Sequence, residues 1–208
     1  MADCNQHRGT LSVRVGPMFS SKTSWLNAEL TQFADKGFSV LKIVHSSDDR
    51  KDVASNSSSG STHNSSFTSL TPKIICIRES HLKDINVTNF DVIGIDESQF
   101  FDDLCQVVEQ WVEVKGKHVR VAGLCGDFNK RRFGQTIDLL PLSDDFVKLK
   151  ASCKFCLQDL KANGFKGNLL AIEGPFTRRL GDSKEQVLVG GSNEYVAVCR
   201  YHSYPESS

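Results

Sequence analysis

The sequence predicts an α/β protein: a P-loop parallel sheet with flanking helices (RecA-like), followed by a small C-terminal domain of different character. Short β-branched runs alternate with longer helical patterns over the first 150 residues, which is the pattern of parallel strands joined by helical crossovers. Beyond residue 150 this pattern gives way to paired cysteines and a stretch rich in glycine and charge. We therefore predict one domain over residues 1–150 and a second over residues 151–208.

The strands of the first domain are predicted from five short apolar runs. These runs are residues 11–15, 38–44, 73–77, 91–95 and 119–123. A helix is predicted from Lys22 to Gly37, because apolar residues recur near every fourth position and a glycine ends the pattern. A second helix is predicted over residues 104–114. Residues 55–69 contain eight serines and predict a flexible surface loop.

Composition and charge argue against several classes of partner. The chain has 208 residues, with 25 Lys and Arg against 25 Asp and Glu. A nucleic-acid binder usually carries a basic excess, so neither nucleic acid nor an anionic membrane is an expected partner. The sequence contains no apolar run near the ~20 residues that span a bilayer and no apolar leader at its start. Seven cysteines in a chain of this size indicate reduced thiols, and we expect a cytoplasmic protein.

A candidate phosphate-binding loop lies between the first strand and the first helix. Residues 16–23 match the pattern G-x-x-x-x-G-K-[ST] at Gly16, Lys22 and Thr23, while Ser21 stands where the second glycine is expected. In such a loop the backbone N–H groups bind phosphate, the lysine neutralises the β and γ oxygens, and the hydroxyl ligates Mg²⁺. Because glycine permits positive φ, serine at this position implies some backbone strain. The alternative is an ordinary strand–turn–helix junction with a chance lysine.

Two adjacent acids, Asp96 and Glu97, end the predicted strand over residues 91–95. An acid at a strand end can reach the Mg²⁺ of a phosphate loop on the same sheet. Successive side chains of an extended chain point in opposite directions, so we assign Asp96 to the metal side and Glu97 to the substrate side, as the general base. The alternative is a solvated strand end.

Four potential zinc ligands come in two pairs near the C-terminus, C-x₂-C and C-x₂-H. They are Cys153, Cys156, Cys199 and His202. Thiolates and imidazole are preferred Zn²⁺ ligands, and four of them form a closed structural site. A redox-active cysteine pair is the alternative, which the second pair with its histidine disfavours. Of the remaining cysteines, Cys76 and Cys125 are interpreted as small core residues.

Together these segments resemble one family, the cytosolic, zinc-containing (type II) thymidine kinases. The resemblance covers nearly the whole chain, in blocks at residues 16–24, 48–50, 92–101, 123–134, 139–156, 176–185 and 189–202. It implies transfer of the γ-phosphoryl group of ATP to the 5′-hydroxyl of thymidine or deoxyuridine, with Mg²⁺, in deoxynucleoside salvage for DNA synthesis. It also implies a homotetramer and feedback inhibition by dTTP.

The resemblance also implies a role for each matching residue. Glu97 is the base, Thr23 and Asp96 serve the magnesium, and a lasso loop from about residue 164 to 195 closes over the nucleoside. The triphosphate-binding residues are Gly16, Pro17, Met18, Phe19, Ser20, Ser21, Lys22, Thr23, Asp48 and Arg50. The nucleoside-binding residues are Phe101, Leu124, Phe128, Val187, Leu188, Val189, Gly190 and Tyr195.

Two further hypotheses stay open at this point. One is a deoxynucleoside kinase with a different base preference, or a relative weakened by Ser21. The other is a zinc-ribbon interaction module fused to an inactive nucleotide-binding domain. The presence of Glu97, Lys22 and Phe128 together disfavours the module, because a protein without catalysis has no need of all three.

Overall fold

A computed structural model describes residues 9–47, 74–164, 172–181 and 193–204. Its centre is a six-stranded sheet in which every neighbouring pair is parallel. The strands lie in the order β3-β2-β4-β5-β1-β6. Their bounds are β1 (Thr10–Gly16), β2 (Val40–His45), β3 (Ile74–Glu79), β4 (Val92–Asp96), β5 (His118–Leu124) and β6 (Asp145–Lys148).

Helix α1 (Lys22–Asp35) covers one face of this sheet. Its buried residues Leu26, Leu30 and Ala34 pack in one cluster with residues of β2, β4 and β5. The approach is close at Gly94 in the middle of β4, where an added Cβ would lie 2.5 Å from Leu30 Cδ1. A glycine is therefore needed for α1 to lie this near the sheet.

The opposite face carries the larger part of the core. Helix α2 (Leu104–Glu109) continues into a π-helical turn over Gln110–Val114. Trp111 and Leu104 from this segment are almost completely buried, together with apolar residues of β1, β2, β4 and β5. A 3₁₀ segment, Thr136–Leu142, adds Leu139 to the same core. With helical elements on both faces, the strands are buried as a parallel sheet requires.

The C-terminal part forms a separate small assembly of strands around α3 (Lys154–Ala162). One antiparallel pair joins β7 (Ala151–Ser152) to β8 (Glu173–Gly174), and another joins β9 (Phe176–Arg179) to β10 (Tyr195–Val198). Val196, Val198 and the buried Cys153 form its core. Phe176 of β9, Cys156 and Cys199 pack against this core.

The structure confirms the α/β class, the five predicted strands within two residues at each end, and the helix after Lys22. Strand β6 was not predicted, because it has only four residues and three of them are exposed. Cys76 corrects another prediction. It is exposed rather than buried, because β3 lies at the edge of the sheet. The serine-rich loop over residues 55–69 lies outside the described residues, and the domain boundary near residue 150 stays a prediction.

In the part of the chain that the structure describes, no helix has both the length and the apolar character needed to cross a bilayer.

Candidate active site

The predicted phosphate loop connects the end of β1 to the start of α1 as a tight turn. Ser21, immediately before the helix, has φ 61° and ψ 27°, which is the left-handed conformation. This is the conformation that favours glycine at the corresponding place in the motif, so the strain expected at Ser21 is present. The Lys22 ammonium is buried and donates a hydrogen bond of 2.7 Å to the carbonyl oxygen of Pro17. Lys22 therefore contacts the loop that is predicted to bind phosphate.

Asp96 lies at the end of β4, directly against the first turn of α1. The Thr23 hydroxyl donates to Asp96 Oδ1 at 3.1 Å, and the backbone N–H of Glu97 donates to the same oxygen at 3.0 Å. Only 4% of Asp96 is exposed. Burial, and secondarily the charge of Glu97, raise the pKa of its carboxyl above the usual value. The structure thus brings together the two side chains that the sequence assigned to magnesium.

The chemistry of this pair suits Mg²⁺. Magnesium prefers oxygen ligands and is commonly held by one or two protein groups, together with substrate phosphates and water. Thr23 and Asp96 offer a hydroxyl and a carboxylate oxygen 3.1 Å apart. Their position beside the phosphate loop leaves the other ligands to be supplied by a nucleotide.

Glu97 leaves the direction of the strand, which corrects the reasoning used for the acid pair. Its φ is 49° and its ψ is 42°, so the alternation of an extended chain does not apply to it. Gln99 then fixes its side chain by donating from Nε2 to Glu97 Oε2 at 2.6 Å. The other end of the same amide, Oε1, accepts from the backbone N–H of Leu124 at 2.9 Å.

Gln99 is a site residue that the sequence reasoning missed. Only 3% of its surface is exposed, and it links the carboxylate of Glu97 to Leu124, the last residue of β5. Its bond with Glu97 could have been predicted, because the two residues are close in sequence. Its contact with Leu124 could not have been, because that contact depends on β4 and β5 being neighbours.

Phe128 and Tyr195, both predicted to face the nucleoside, are brought together by Arg179 of β9. The guanidinium carbon of Arg179 lies 4.0 Å from the centre of the Phe128 ring and 5.1 Å from that of Tyr195. Arg179 also donates a hydrogen bond to the Tyr195 hydroxyl. The C-terminal strands therefore reach the loop that follows β5.

Phe101 occupies a different place from the one predicted for it. Its ring is fully buried in the hydrophobic core, edge-on to His45 at a centroid distance of 4.8 Å. A fully buried ring offers a ligand no surface, so this placement does not support contact with a base. The neighbouring Phe100 is half-buried and meets Phe133 edge-on at 5.6 Å; it is the more accessible ring of the two.

Six predicted site residues lie outside the described residues. They are Asp48, Arg50, Val187, Leu188, Val189 and Gly190.

A cavity of about 360 Å³ lies between the phosphate loop, the loop after β5 and the start of β9. Its wall includes Pro17, Asp127, Lys130, Phe176 and Thr177. The hydroxyl of Thr177 also accepts a hydrogen bond of 3.0 Å from the backbone N–H of Met18. Strand β9 therefore contacts both loops that the sequence assigned to substrates.

The four predicted zinc ligands converge at one point. One ligand atom from each of Cys153, Cys156, Cys199 and His202 lies within 4.8 Å of the others. His202 Nδ1 is 3.3 to 3.5 Å from each of the three sulfur atoms. Three thiols and an imidazole nitrogen in such a cluster form a donor set that zinc prefers in closed structural sites, so these residues fit the metal.

Two thiols of this cluster differ widely in pKa. Burial and hydrogen bonds with Cys153 and Cys199 raise the pKa of Cys156 to about 12. Burial alone would also raise the pKa of Cys199, but the backbone N–H of His202 and the neighbouring thiols lower it to about 7. A divalent cation would favour the thiolate form at every sulfur.

The fold and this geometry define a class. A nucleotide-binding α/β protein combines a parallel sheet with a loop that leads from a strand into a helix. It also has an acid at the end of a second strand, within hydrogen-bond distance of that helix.

Comparison with known proteins gives the family within that class. The thymidine kinase family model matches residues 9–203. The chain is 33% identical to the cytosolic thymidine kinase of Homo sapiens over 201 residues, covering 97% of this chain and 76% of that protein. It is likewise 33% identical to the cytosolic thymidine kinase of Bos taurus over 201 residues, covering 97% and 74%. The thymidine kinase of vaccinia virus (strain Tian Tan) is 32% identical over 194 residues, covering 92% and 95%. The chain belongs to the thymidine kinase family.

Proposed function

We propose that this protein is an ATP-dependent kinase that phosphorylates the 5′-hydroxyl of thymidine, and also of deoxyuridine, to give the nucleoside monophosphate and ADP. The observation that carries the proposal is the hydrogen bond between Thr23 and Asp96, in a chain that belongs to the thymidine kinase family. That bond joins the phosphate loop to the acidic strand end beside which Glu97 lies.

In the proposed reaction Glu97 is the general base. The 5′-oxygen of the nucleoside attacks the γ-phosphorus, the bond from that phosphorus to the β–γ bridging oxygen breaks, and Glu97 accepts the hydroxyl proton. Gln99 bonds this carboxylate at 2.6 Å and is itself bonded to Leu124 at the end of β5. Phosphoryl transfer depends mainly on positioning and charge neutralisation, so a fixed base suits this step.

The phosphate loop, residues 16–23, holds the triphosphate in this proposal. Lys22 exchanges its bond with the carbonyl of Pro17 for one with phosphate oxygens. Mg²⁺, when bound at Thr23 and Asp96, would neutralise charge on the β and γ phosphates. Asp48 is proposed to act through the magnesium shell and Arg50 on the phosphate charge; both lie outside the described residues.

The nucleoside would lie against the loop that follows β5. Leu124 at the end of β5 and Phe128 on this loop, together with Tyr195, are proposed to surround the base. Phe100 takes the part first given to Phe101, because it is the less buried of the two rings. The segment 187–190 is proposed to close over the base with main-chain groups, as part of a lasso loop whose ends are fixed by zinc at the Cys/His cluster.

The assembly and regulation follow the family in this proposal. A homotetramer, inhibition by dTTP and a cytoplasmic location are all proposed for this chain, together with a two-domain organisation divided near residue 150.

A direct test is release of ADP by the purified protein with ATP and Mg²⁺, measured with and without thymidine, with the product identified as dTMP. We expect ADP release to depend on thymidine. A protein that binds nucleotide but forms no dTMP would contradict the proposal and favour an interaction module.

A further inference from the structure

Lys42 lies beside the proposed magnesium site, in a position that neither the motif nor the proposed mechanism uses. It is in the middle of β2, in register with Gly94 of β4. Its ammonium nitrogen is 3.6 Å from Asp96 Oδ2 and donates a 2.7 Å hydrogen bond to Asn27 Oδ1 of α1. The side chains of Lys42 and Asp96 are only 14% and 5% exposed.

The two oxygens of Asp96 have different surroundings. Oδ1 accepts hydrogen bonds from the Thr23 hydroxyl and from the Glu97 backbone, whereas Oδ2 faces the Lys42 ammonium. A carboxylate this deeply buried is unfavourable unless a positive charge is near it. Lys42 supplies such a charge from within the protein.

We propose that Lys42 is a positioning residue that takes the place of the magnesium charge at Asp96 while the metal is absent. The inference rests on the proposed magnesium site at Thr23 and Asp96. Lys42 holds the Asp96 carboxylate in place between catalytic cycles. Lys42 and Mg²⁺ therefore compete for the negative charge of Asp96.

The hydrogen bond to Asn27 lets Lys42 stabilise the Asp96 carboxylate without occupying the position of the metal. The 3.6 Å separation from Asp96 is longer than a normal charge-assisted hydrogen bond of about 2.7–2.9 Å, whereas the bond to Asn27 has full strength at 2.7 Å. The ammonium is thus anchored on α1 and acts on Asp96 chiefly through its charge. Two cations near one carboxylate repel each other, so Lys42 should weaken Mg²⁺ binding, and Mg²⁺ should reduce the stabilisation that Lys42 gives.

The test is Lys42→Met, which keeps the length of the side chain and removes its charge. The unfolding temperature is measured with ADP, once with a chelator and once with Mg²⁺. We expect the variant to unfold roughly 3–8 °C below the wild type without metal, and that deficit to fall by about half or more with Mg²⁺. Binding of a fluorescent ADP analogue should reach half-saturation at roughly 3- to 10-fold less Mg²⁺ in the variant.

Three companion variants separate charge from packing. Lys42→Arg keeps the charge and should keep the wild-type dependence on Mg²⁺. Asn27→Ala removes the anchor and lets the ammonium approach Asp96, so half-saturation should need more Mg²⁺ than in the wild type, the opposite of Lys42→Met. This variant tests the inference if Lys42→Met does not fold. Lys150→Met removes the lysine of an exposed ion pair with Glu173 and should leave the Mg²⁺ dependence unchanged.

Equal deficits in unfolding temperature with and without Mg²⁺ would overturn the inference and leave Lys42 a structural role. If nucleotide binding by the wild type itself does not respond to Mg²⁺, the proposed magnesium site is wrong, and this inference is wrong with it. The first result leaves the proposed reaction intact, so the two failures are distinguishable.

Discussion

Glu97 is the residue on which the proposed chemistry depends most. Its carboxylate is held by Gln99 at 2.6 Å. Glu97→Gln keeps the size of the side chain and an oxygen that can still accept this bond, but it removes the proton acceptor. We expect nucleoside affinity to be nearly unchanged and kcat to fall by ~10²–10⁴-fold. Steady-state kinetics together with equilibrium binding of thymidine measure the two quantities separately.

The control for this variant is Glu113→Gln, which changes an exposed acid on the π-helical turn and should leave kcat unaltered. Near-normal turnover by Glu97→Gln would remove Glu97 from the mechanism.

Ser21 gives a second prediction at the residue scale. Its φ of 61° is strained for serine and ordinary for glycine. We expect Ser21→Gly to tighten ATP binding or leave it unchanged, because the loop then adopts its conformation without strain. Isothermal titration with a non-hydrolysable ATP analogue measures the effect.

Ser24→Gly is a matched control three residues further on, inside α1. There glycine replaces a residue with helical φ, so this variant should lower the free energy of unfolding by about 0.5–1 kcal/mol. A sharp loss of ATP affinity in Ser21→Gly would contradict the strain argument and show that the hydroxyl itself contributes to binding.

Several site residues could be predicted because their signal is local in sequence. Lys22 and Thr23 follow a strand and open a helix, and Asp96 ends a strand, so the motif and its context were sufficient. Lys42 and Arg179 could not be predicted in the same way. Lys42 meets Asp96 only because β2 and β4 are neighbours, and Arg179 meets Phe128 only because β9 lies against the loop that follows β5.

At the scale of elements, the Cys/His cluster brings the start of α3 together with the turn after β10. Zinc bound there would fix both ends of the long connection between them, and fixing the ends of a loop reduces the conformational freedom that it must lose on ordering. We expect reduced, freshly purified protein to contain about one zinc per chain. Elemental analysis decides this, and protein without zinc would contradict the assignment.

Replacing one ligand tests the function of the cluster. Cys153→Ala should release zinc and weaken thymidine binding before ATP binding, because the loop between the ligand pairs is proposed to cover the nucleoside. Cys76→Ser is the control, since Cys76 is exposed and lies outside the cluster. Equal losses of ATP and thymidine affinity in Cys153→Ala would point instead to a general loss of folding.

The elements themselves were predictable to different degrees. Five strands carried a clear apolar run, and β4 is buried at all five positions. Strand β6 pairs only with β1 and is mostly exposed. Its sequence therefore lacks the run of apolar residues that identifies a buried strand. The same exposure at an edge explains why the cysteine of β3 was wrongly assigned to the core.

For the whole molecule, the proposed activity is the phosphorylation of thymidine in preference to other nucleosides. The main-chain lid proposed around residues 187–190, which lie outside the described residues, would offer donors to the two pyrimidine carbonyls and an acceptor to N3–H. Thymine and uracil match that pattern, whereas cytosine presents an amino group and an unprotonated N3. Each buried mismatch leaves polar groups unsatisfied at ~1–3 kcal/mol, while the 5-methyl group of thymine adds a smaller apolar preference.

The most direct test is a competitive kinase assay with thymidine, deoxyuridine, deoxycytidine and deoxyadenosine at equal concentrations, with the four monophosphates measured separately. We predict that thymidine and deoxyuridine are both phosphorylated, with thymidine modestly preferred, and that deoxycytidine is slower by roughly 10²-fold or more. Deoxyadenosine should be excluded by its size. Turnover of deoxycytidine or deoxyadenosine as fast as that of thymidine would contradict the account and favour a general deoxynucleoside kinase.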